Sequence, residues 1–456
     1  MLERTGSKAA TAAAAVAVAA LLAGTPASLA QAAPEALAAA AAQAAAAAAR
    51  GSFYAYTGST PLARIAPGTV LKTRTLSYHI AGIALPVQVV QLLYRSAGAL
   101  GQPTANVTSV LESPVPPLGS ARAVSYQSFY DSLNPADEPS AQIAGDVTLG
   151  GLVADAESVV ILPLLLQGYT VIVPDTEGQK ADFASGPEYG INTLNSIRAA
   201  TSSPLTGLTA ATPIGLFGYS GGAIATDWAA QLAPSYAPDV NRQLVGAAEG
   251  GVLVDPAHNL TYVDGSSVWA GIIPMSIIGI ARGFHITITP YLNSYGSQLY
   301  AALQNASIAN VLGQYPGLTF AQLVKPQYAN PDSIPVLVKV ENKLNAGRRP
   351  SPTIPMFIGQ GANGTLEGTP GNKPGIGPGD GVMVAGDGRT LARHFCASGT
   401  AVDYTQYDAL SHISTFPVWA PAALAWLAGR FAGIQAPNDC SQIPPGNSLA
   451  PVHPAS

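Results

Sequence analysis

Apolar positions fall into three regimes along this chain of 456 residues. Residues 85–94, 105–111 and 121–127 are rich in β-branched and aromatic side chains and are broken by glycine- and proline-bearing turns, which predicts strands. From 157 to 248, helix-length segments alternate with short continuous apolar runs. They read as a helix over 157–167, a strand over 169–173, a helix over 189–200, a strand over 213–217, a helix over 223–232 and a strand over 243–248. Residues 251–345 break that rhythm. Within them, 269–280 is apolar on every side and interrupted by Pro274, and amphipathic pieces follow at 299–312 and 319–328. The alternation then resumes with a strand over 354–358, a helix over 388–397, a strand over 401–407 and a closing helix over 417–431. Helices alternating with short buried strands predict a mostly parallel sheet covered on both faces. The segment at 251–345 reads as a mainly helical cap or lid inserted into that α/β domain.

The ends differ from the middle. Arg4 and Lys8 precede an apolar, alanine-rich core at residues 9–22, and small residues follow around 27–32. This is the layout of an export signal cut near residues 30–33. Its apolar core is shorter than the ~18 to 20 residues of a membrane span. The expected organisation is a signal peptide over 1–33, an alanine-rich segment over 34–68 and the first part of the α/β core over 69–250. The cap over 251–345, the second part of the core over 346–435 and a tail over 436–456 complete it. Hydrophobic residues make up 48% and charged residues 10% of the chain, which excludes disorder. A net charge of -5 without a basic cluster argues against nucleic acid as a partner. Cys396 and Cys440 match no metal or redox spacing, and export would let them pair as one disulfide.

Chemistry concentrates at one strand end. The run at 214–217 leads into Gly218-Tyr219-Ser220-Gly221-Gly222, and a helix-compatible segment follows. Gly-x-Ser-x-Gly between strand and helix is a nucleophile elbow, in which a strained turn exposes the serine hydroxyl. A Cβ at Gly218 or Gly222 would crowd the crossing of strand and helix. A serine needs a base within hydrogen-bond reach, and the base needs an anion to orient it. In the α/β-hydrolase arrangement the order is serine, acid, histidine. His412 lies between the last strand and the last helix, where the base belongs. His394 reads as a helix-face residue, His258 and His285 flank the cap at positions suited to lining a pocket, and His453 is in the tail. No carboxylate directly follows the strand at 354–358. Of those in the next glycine- and proline-rich loop, Asp380 is the first choice for the acid, then Asp387, then Glu367.

Several stretches resemble the secretory lipases, a family of fungal lipase A-like enzymes with actinobacterial members. They are residues 125–132 (SYQSFYDS), 168–178 (GYTVIVPDTEG), 218–222 (GYSGG), 355–358 (PMFI), 379–382 (GDGV), Cys396 and 410–412 (LSH). In the family the acid opens an Asp-x-Val segment that precedes a helix, a cysteine, a strand and the histidine. Asp380, Cys396 and His412 follow that order, although a glycine-rich insertion precedes Asp380. The resemblance implies an oxyanion hole made by the backbone N–H groups of Gly221 and Asp131, and a cap that holds the lid and the acyl-binding region. Without it, Asp131 is only a turn residue. Residues 175–178 read as a strand-ending loop.

The expectation is a secreted serine carboxylester hydrolase, a triacylglycerol lipase working through an acyl-enzyme on Ser220 at a lipid-water interface. It needs no metal or organic cofactor and keeps no stable membrane span when mature. The alternatives are a lipid acyltransferase of the same fold, a catalytically silent lipid-binding relative, and a serine peptidase.

Overall fold

A nine-stranded sheet organises the computed structural model, which describes residues 53–117 and 119–455. The expected export signal and most of the alanine-rich segment lie outside the described residues. The strands are β1 (Val70–Ile80), β2 (Ile83–Ala97), β3 (Pro103–Leu111), β4 (Ala123–Gln127), β5 (Thr170–Pro174), β6 (Ile214–Tyr219), β7 (Leu244–Gly250), β8 (Met356–Gly361) and β9 (Val402–Tyr407). Their spatial order is β1-β2-β3-β5-β4-β6-β7-β8-β9. The first three strands and the β3–β5 pair are antiparallel. From β5 through β4 to β9 every pairing is parallel. This is the mostly parallel sheet that the alternation of apolar runs predicts.

Helices of eight or more described residues are α1 (Ser158–Leu166), α2 (Gly186–Ser202), α3 (Gly221–Tyr236), α4 (Pro256–Val263), α5 (Ile272–Gly283), α6 (Ser294–Ala302), α7 (Pro335–Leu344), α8 (Ala385–Ala397) and α9 (His412–Phe431). Every residue of β6 is buried, because helices cover both of its faces. Leu194, Ile197, Ala223, Ala229, Ala230, Leu391 and Phe395 pack on one side of the sheet, and Trp419, Ala423, Trp426 and Leu427 pack on the other. Helices α4–α7 lie between β7 and β8 and share their own apolar core.

Local chemistry moves several boundaries. Helix α9 starts at His412, five residues earlier than the apolar pattern indicates, because Ser411 and Ser414 form a reciprocal capping box at its N-terminus. Pro274 does not interrupt the apolar stretch at 269–280; it sits in the first turn of α5, where its missing N–H has no intrahelical partner to lose. The pieces at 299–312 and 319–328 are each divided. Ser307 caps a new short helix (Ile308–Val311), and Pro326 opens a 3-10 turn (Pro326–Tyr328) after Phe320–Leu323. Residues beyond 435 are held by more than one cysteine: Ile443 and Leu449 are buried, and Asn447 donates to Asp387.

Cys396, near the end of α8, is bonded to Cys440 across 44 residues. A crosslink of that span restricts the unfolded chain and contributes about 2–4 kcal/mol. Replacing both cysteines by serine is therefore expected to lower the thermal unfolding midpoint by several degrees, and calorimetry with and without reductant measures it.

Candidate active site

Ser220 sits where β6 turns into α3 with φ 54° and ψ −120°, a backbone conformation that costs energy for any residue with a side chain. The turn is possible because its neighbours are small. A Cβ on Gly222 would run into the Gln127 carbonyl oxygen, and one on Gly218 into the Gly222 carbonyl and the Thr226 hydroxyl. The strain aims the serine hydroxyl out of the sheet toward the start of α9.

There, Ser220 Oγ lies 2.7 Å from His412 Nε2, and His412 Nδ1 lies 2.8 Å from Asp380 Oδ2. The histidine is tied to the same aspartate a second time, its backbone N–H donating to the Asp380 carbonyl at 2.7 Å. Asp380 is fully buried, and its carboxylate is satisfied. Oδ1 accepts from the amides of Val382 and Met383 at 3.1 and 2.7 Å, and Oδ2 accepts from Gln360 Nε2 at 3.0 Å. Tyr219 donates its hydroxyl to the His412 carbonyl, and the Trp269 ring meets the imidazole edge-on at 5.3 Å. Burial by itself pushes the His412 pKa down. The charge and hydrogen bond of Asp380, with Glu367 and Asp131 nearby, outweigh it and leave the pKa above 6.5.

The other candidates separate cleanly. Asp387 is 2.9 Å from His258 Nδ1 and also accepts from Asn447, away from the serine. His258 thus belongs to a structural pair and not to the pocket wall. His394 Nε2 meets the Arg349 carbonyl, as befits a helix-face residue. His285 ends the turn after α5 with φ 52° and lines neither cavity at Ser220. Glu367 does not reach His412 by hydrogen bond. It accepts from Trp269 Nε1 at 2.7 Å and the Ile413 amide at 2.8 Å, bracing the groups on either side of the imidazole.

Asp131, in the turn after β4, has φ 37° and lies against Gly221, whose added Cβ would strike its Oδ1. Among the described residues, neither the Asp131 nor the Gly221 amide donates to a protein acceptor. For Gly221 this follows from its place at the first position of a helix. The Asp131 turn is braced from residues 175–178: buried Glu177 accepts from the Ser132 amide, and Asp175 from the amide and hydroxyl of Ser140. Burial pushes the Asp131 carboxyl up to about 7, against the opposing pull of His412.

Two apolar cavities meet at Ser220. One runs under α4, α5 and α7 and is bordered by Gly221 but not by His412. The other is bordered by His412, Phe129, Leu152, Leu312 and Phe416. Among the described residues no cluster suited to a metal ion occurs. Sequence reasoning missed Gln360, Trp269 and Glu177 as supports of the site. Gln360 and Glu177 carried a signal, since a polar side chain inside or just beyond a buried strand needs a partner.

A buried serine, histidine and aspartate joined in this order at the carboxyl ends of parallel strands is the arrangement characteristic of the α/β-hydrolase class. The chain belongs to the secretory lipase family, whose model matches residues 143–439. It is 30% identical to lipase 4 of Candida albicans, over 85% of this chain and 83% of that one. It is 31% identical to a Mycobacterium tuberculosis protein named a probable inactive lipase, over 80% and 79% of the two chains. Its fold is similar to that of Candida antarctica lipase A in the closed state, with a TM-score of 0.71, 24% identity and 86% and 89% of the two chains covered. Family and fold together make it a carboxylic ester hydrolase.

A histidine that must be neutral to accept the serine proton dictates the pH profile. With its pKa raised above 6.5, the acid limb of kcat/KM is expected to have its midpoint above 6.5, activity rising with pH through it. A pH–rate profile on a soluble ester measures this. A midpoint below 6.5 would contradict the electrostatics described above.

Proposed function

We propose that the protein is a secreted triacylglycerol lipase that cleaves fatty-acid esters through an acyl-enzyme on Ser220. The observation that carries this reading is the meeting of two apolar cavities at a serine already hydrogen-bonded to a buried histidine. Ser220 Oγ attacks the ester carbonyl carbon while its proton passes to His412 Nε2. Asp380 holds the imidazole in the tautomer that can accept this proton and stabilises the imidazolium that results. The carbonyl electrons move onto oxygen, where the Gly221 and Asp131 amides receive them; one such donor is worth about 3 kcal/mol of barrier. Collapse of the tetrahedral adduct breaks the ester C–O bond, and the alcohol leaves with the proton from His412. Water then repeats the sequence on the acyl-enzyme and releases the acid.

Direction follows from proton delivery. The leaving oxygen must face His412 Nε2, so the alcohol occupies the cavity that His412 borders. The acyl chain then enters the cavity beneath α5. In this reading residues 251–345 act as the cap, with the apolar face of α5 serving both the cap core and the acyl wall. Ester substrates follow from the family. Secretion is supported by the family's character and by the sequence of the first 33 residues.

Rates of hydrolysis of p-nitrophenyl esters of increasing acyl length test the reading, with Ser220→Ala as control. Activity is expected to persist to long chains and to fall by about 10³-fold or more in Ser220→Ala. Activity confined to short chains would make the protein an esterase. Equal rates in wild type and Ser220→Ala would remove Ser220 as the nucleophile. A higher yield of transesterified product than of free acid in water–alcohol mixtures would favour an acyltransferase.

A further inference from the structure

The acyl cavity contains a group that a pocket for plain alkyl chains does not need. Helix α7 turns a stripe of Leu337, Val340, Glu341 and Leu344 toward the interior, so a carboxyl occupies a position where the helical period calls for an apolar residue. Glu341 is 4% exposed, lines the cavity that contains Ser220, and has no hydrogen-bond partner at Oε2. Asn259, on α4, borders the same cavity. Its Nδ2 donates to the Val382 carbonyl and approaches the Met383 sulfur at 3.3 Å, which fixes the amide so that Oδ1 is the free end. That Oδ1 also has no partner. Helices α4 and α7 pack against each other, so both polar groups belong to one wall of a chamber whose other polar lining is Asp131 and Ser220 at the serine end and Ser276 on α5.

Leaving two buried polar groups unpaired is costly, about 1–3 kcal/mol each, unless something occupies the site and engages them. A cationic ligand fits poorly. Burial, reinforced by the charges of Asp255 and Asp332, pushes the Glu341 carboxyl up to about 8, so at neutral pH it is chiefly the uncharged acid. The pair then offers one O–H donor and carbonyl-type acceptors. That set complements a neutral group able both to give and to take a hydrogen bond.

We infer that this enzyme selects acyl chains bearing a hydroxyl group, which Glu341 and Asn259 engage within the acyl cavity. The inference rests on the proposed ester hydrolysis and names the substrate class within it. The ester bond is broken as described above; Glu341 takes no part in the chemistry and acts on specificity.

The experiment compares kcat/KM for p-nitrophenyl esters of plain fatty acids with their mid-chain and terminal monohydroxy counterparts. Wild type, Glu341→Gln and Glu341→Leu are assayed, with each preparation normalised to the Ser220 sites titrated by a fluorophosphonate. Wild type is expected to prefer at least one hydroxylated ester over its plain parent by about three- to tenfold. Glu341→Gln, which keeps the shape and hydrogen-bonding capacity, retains the preference; Glu341→Leu loses or reverses it. Ratios near one across the wild-type series, or a preference unchanged in Glu341→Leu, would overturn the inference while leaving ester hydrolysis intact. Failure of wild type to cleave either kind of ester is a different result and would overturn the hydrolase reading itself.

Discussion

The double tie between Asp380 and His412 is the constraint on which the site depends. One hydrogen bond runs between the side chains and another between the backbones, so the loop after β8 and the first residue of α9 are held as one unit. The carboxylate is itself held by two amides and the Gln360 side chain, which leaves it little freedom to rotate. A base fixed in this way reaches Ser220 without paying to reorganise during reaction. Its direction is further fixed by Tyr219 below and Trp269 at its edge.

The sheet makes that unit meet the serine. β6 and β8 flank β7 in parallel register, so their carboxyl ends open on the same rim. Glycines 218 and 222 let β6 cross α3 closely enough to raise Ser220 into the space in front of His412. On the far side, the Asp131 turn is held against Gly221 by buried Glu177 and by the Ile308 amide, which donates to the Asp131 carbonyl at 2.8 Å. The last contact comes from the helical insertion. The insertion therefore forms one wall of the proposed acyl cavity and also supports the proposed oxyanion turn.

Much of this was legible in the order of residues. The elbow declared itself because Gly-x-Ser-x-Gly stood between a short apolar run and a helix. His412 was marked by its place between the last strand and the last helix. The acid was harder: three carboxylates follow β8, and spacing alone does not distinguish them. The structure separates them by partner, giving Asp387 to His258, Glu367 to Trp269 and Asp380 to His412. Side-chain caps set boundaries that hydrophobic periodicity cannot see, which is why α9 begins at His412. The supporting roles of Gln360 and Glu177, and the polar wall of the acyl cavity, depend on contacts between residues far apart in sequence. Periodicity carries no information about those.

The central claim is that His412 acts on Ser220 because Asp380 orients it, and the rate of covalent labelling at Ser220 tests this most directly. A fluorophosphonate reacts with the activated serine, so its second-order rate reports the serine–histidine pair without requiring a natural substrate. Asp380→Asn is expected to slow modification of Ser220 by about 10²-fold or more, while Asp387→Asn, which alters contacts to His258 and Asn447 away from the serine, reacts at close to the wild-type rate. Equal slowing in the two variants, or no slowing in Asp380→Asn, would contradict the account.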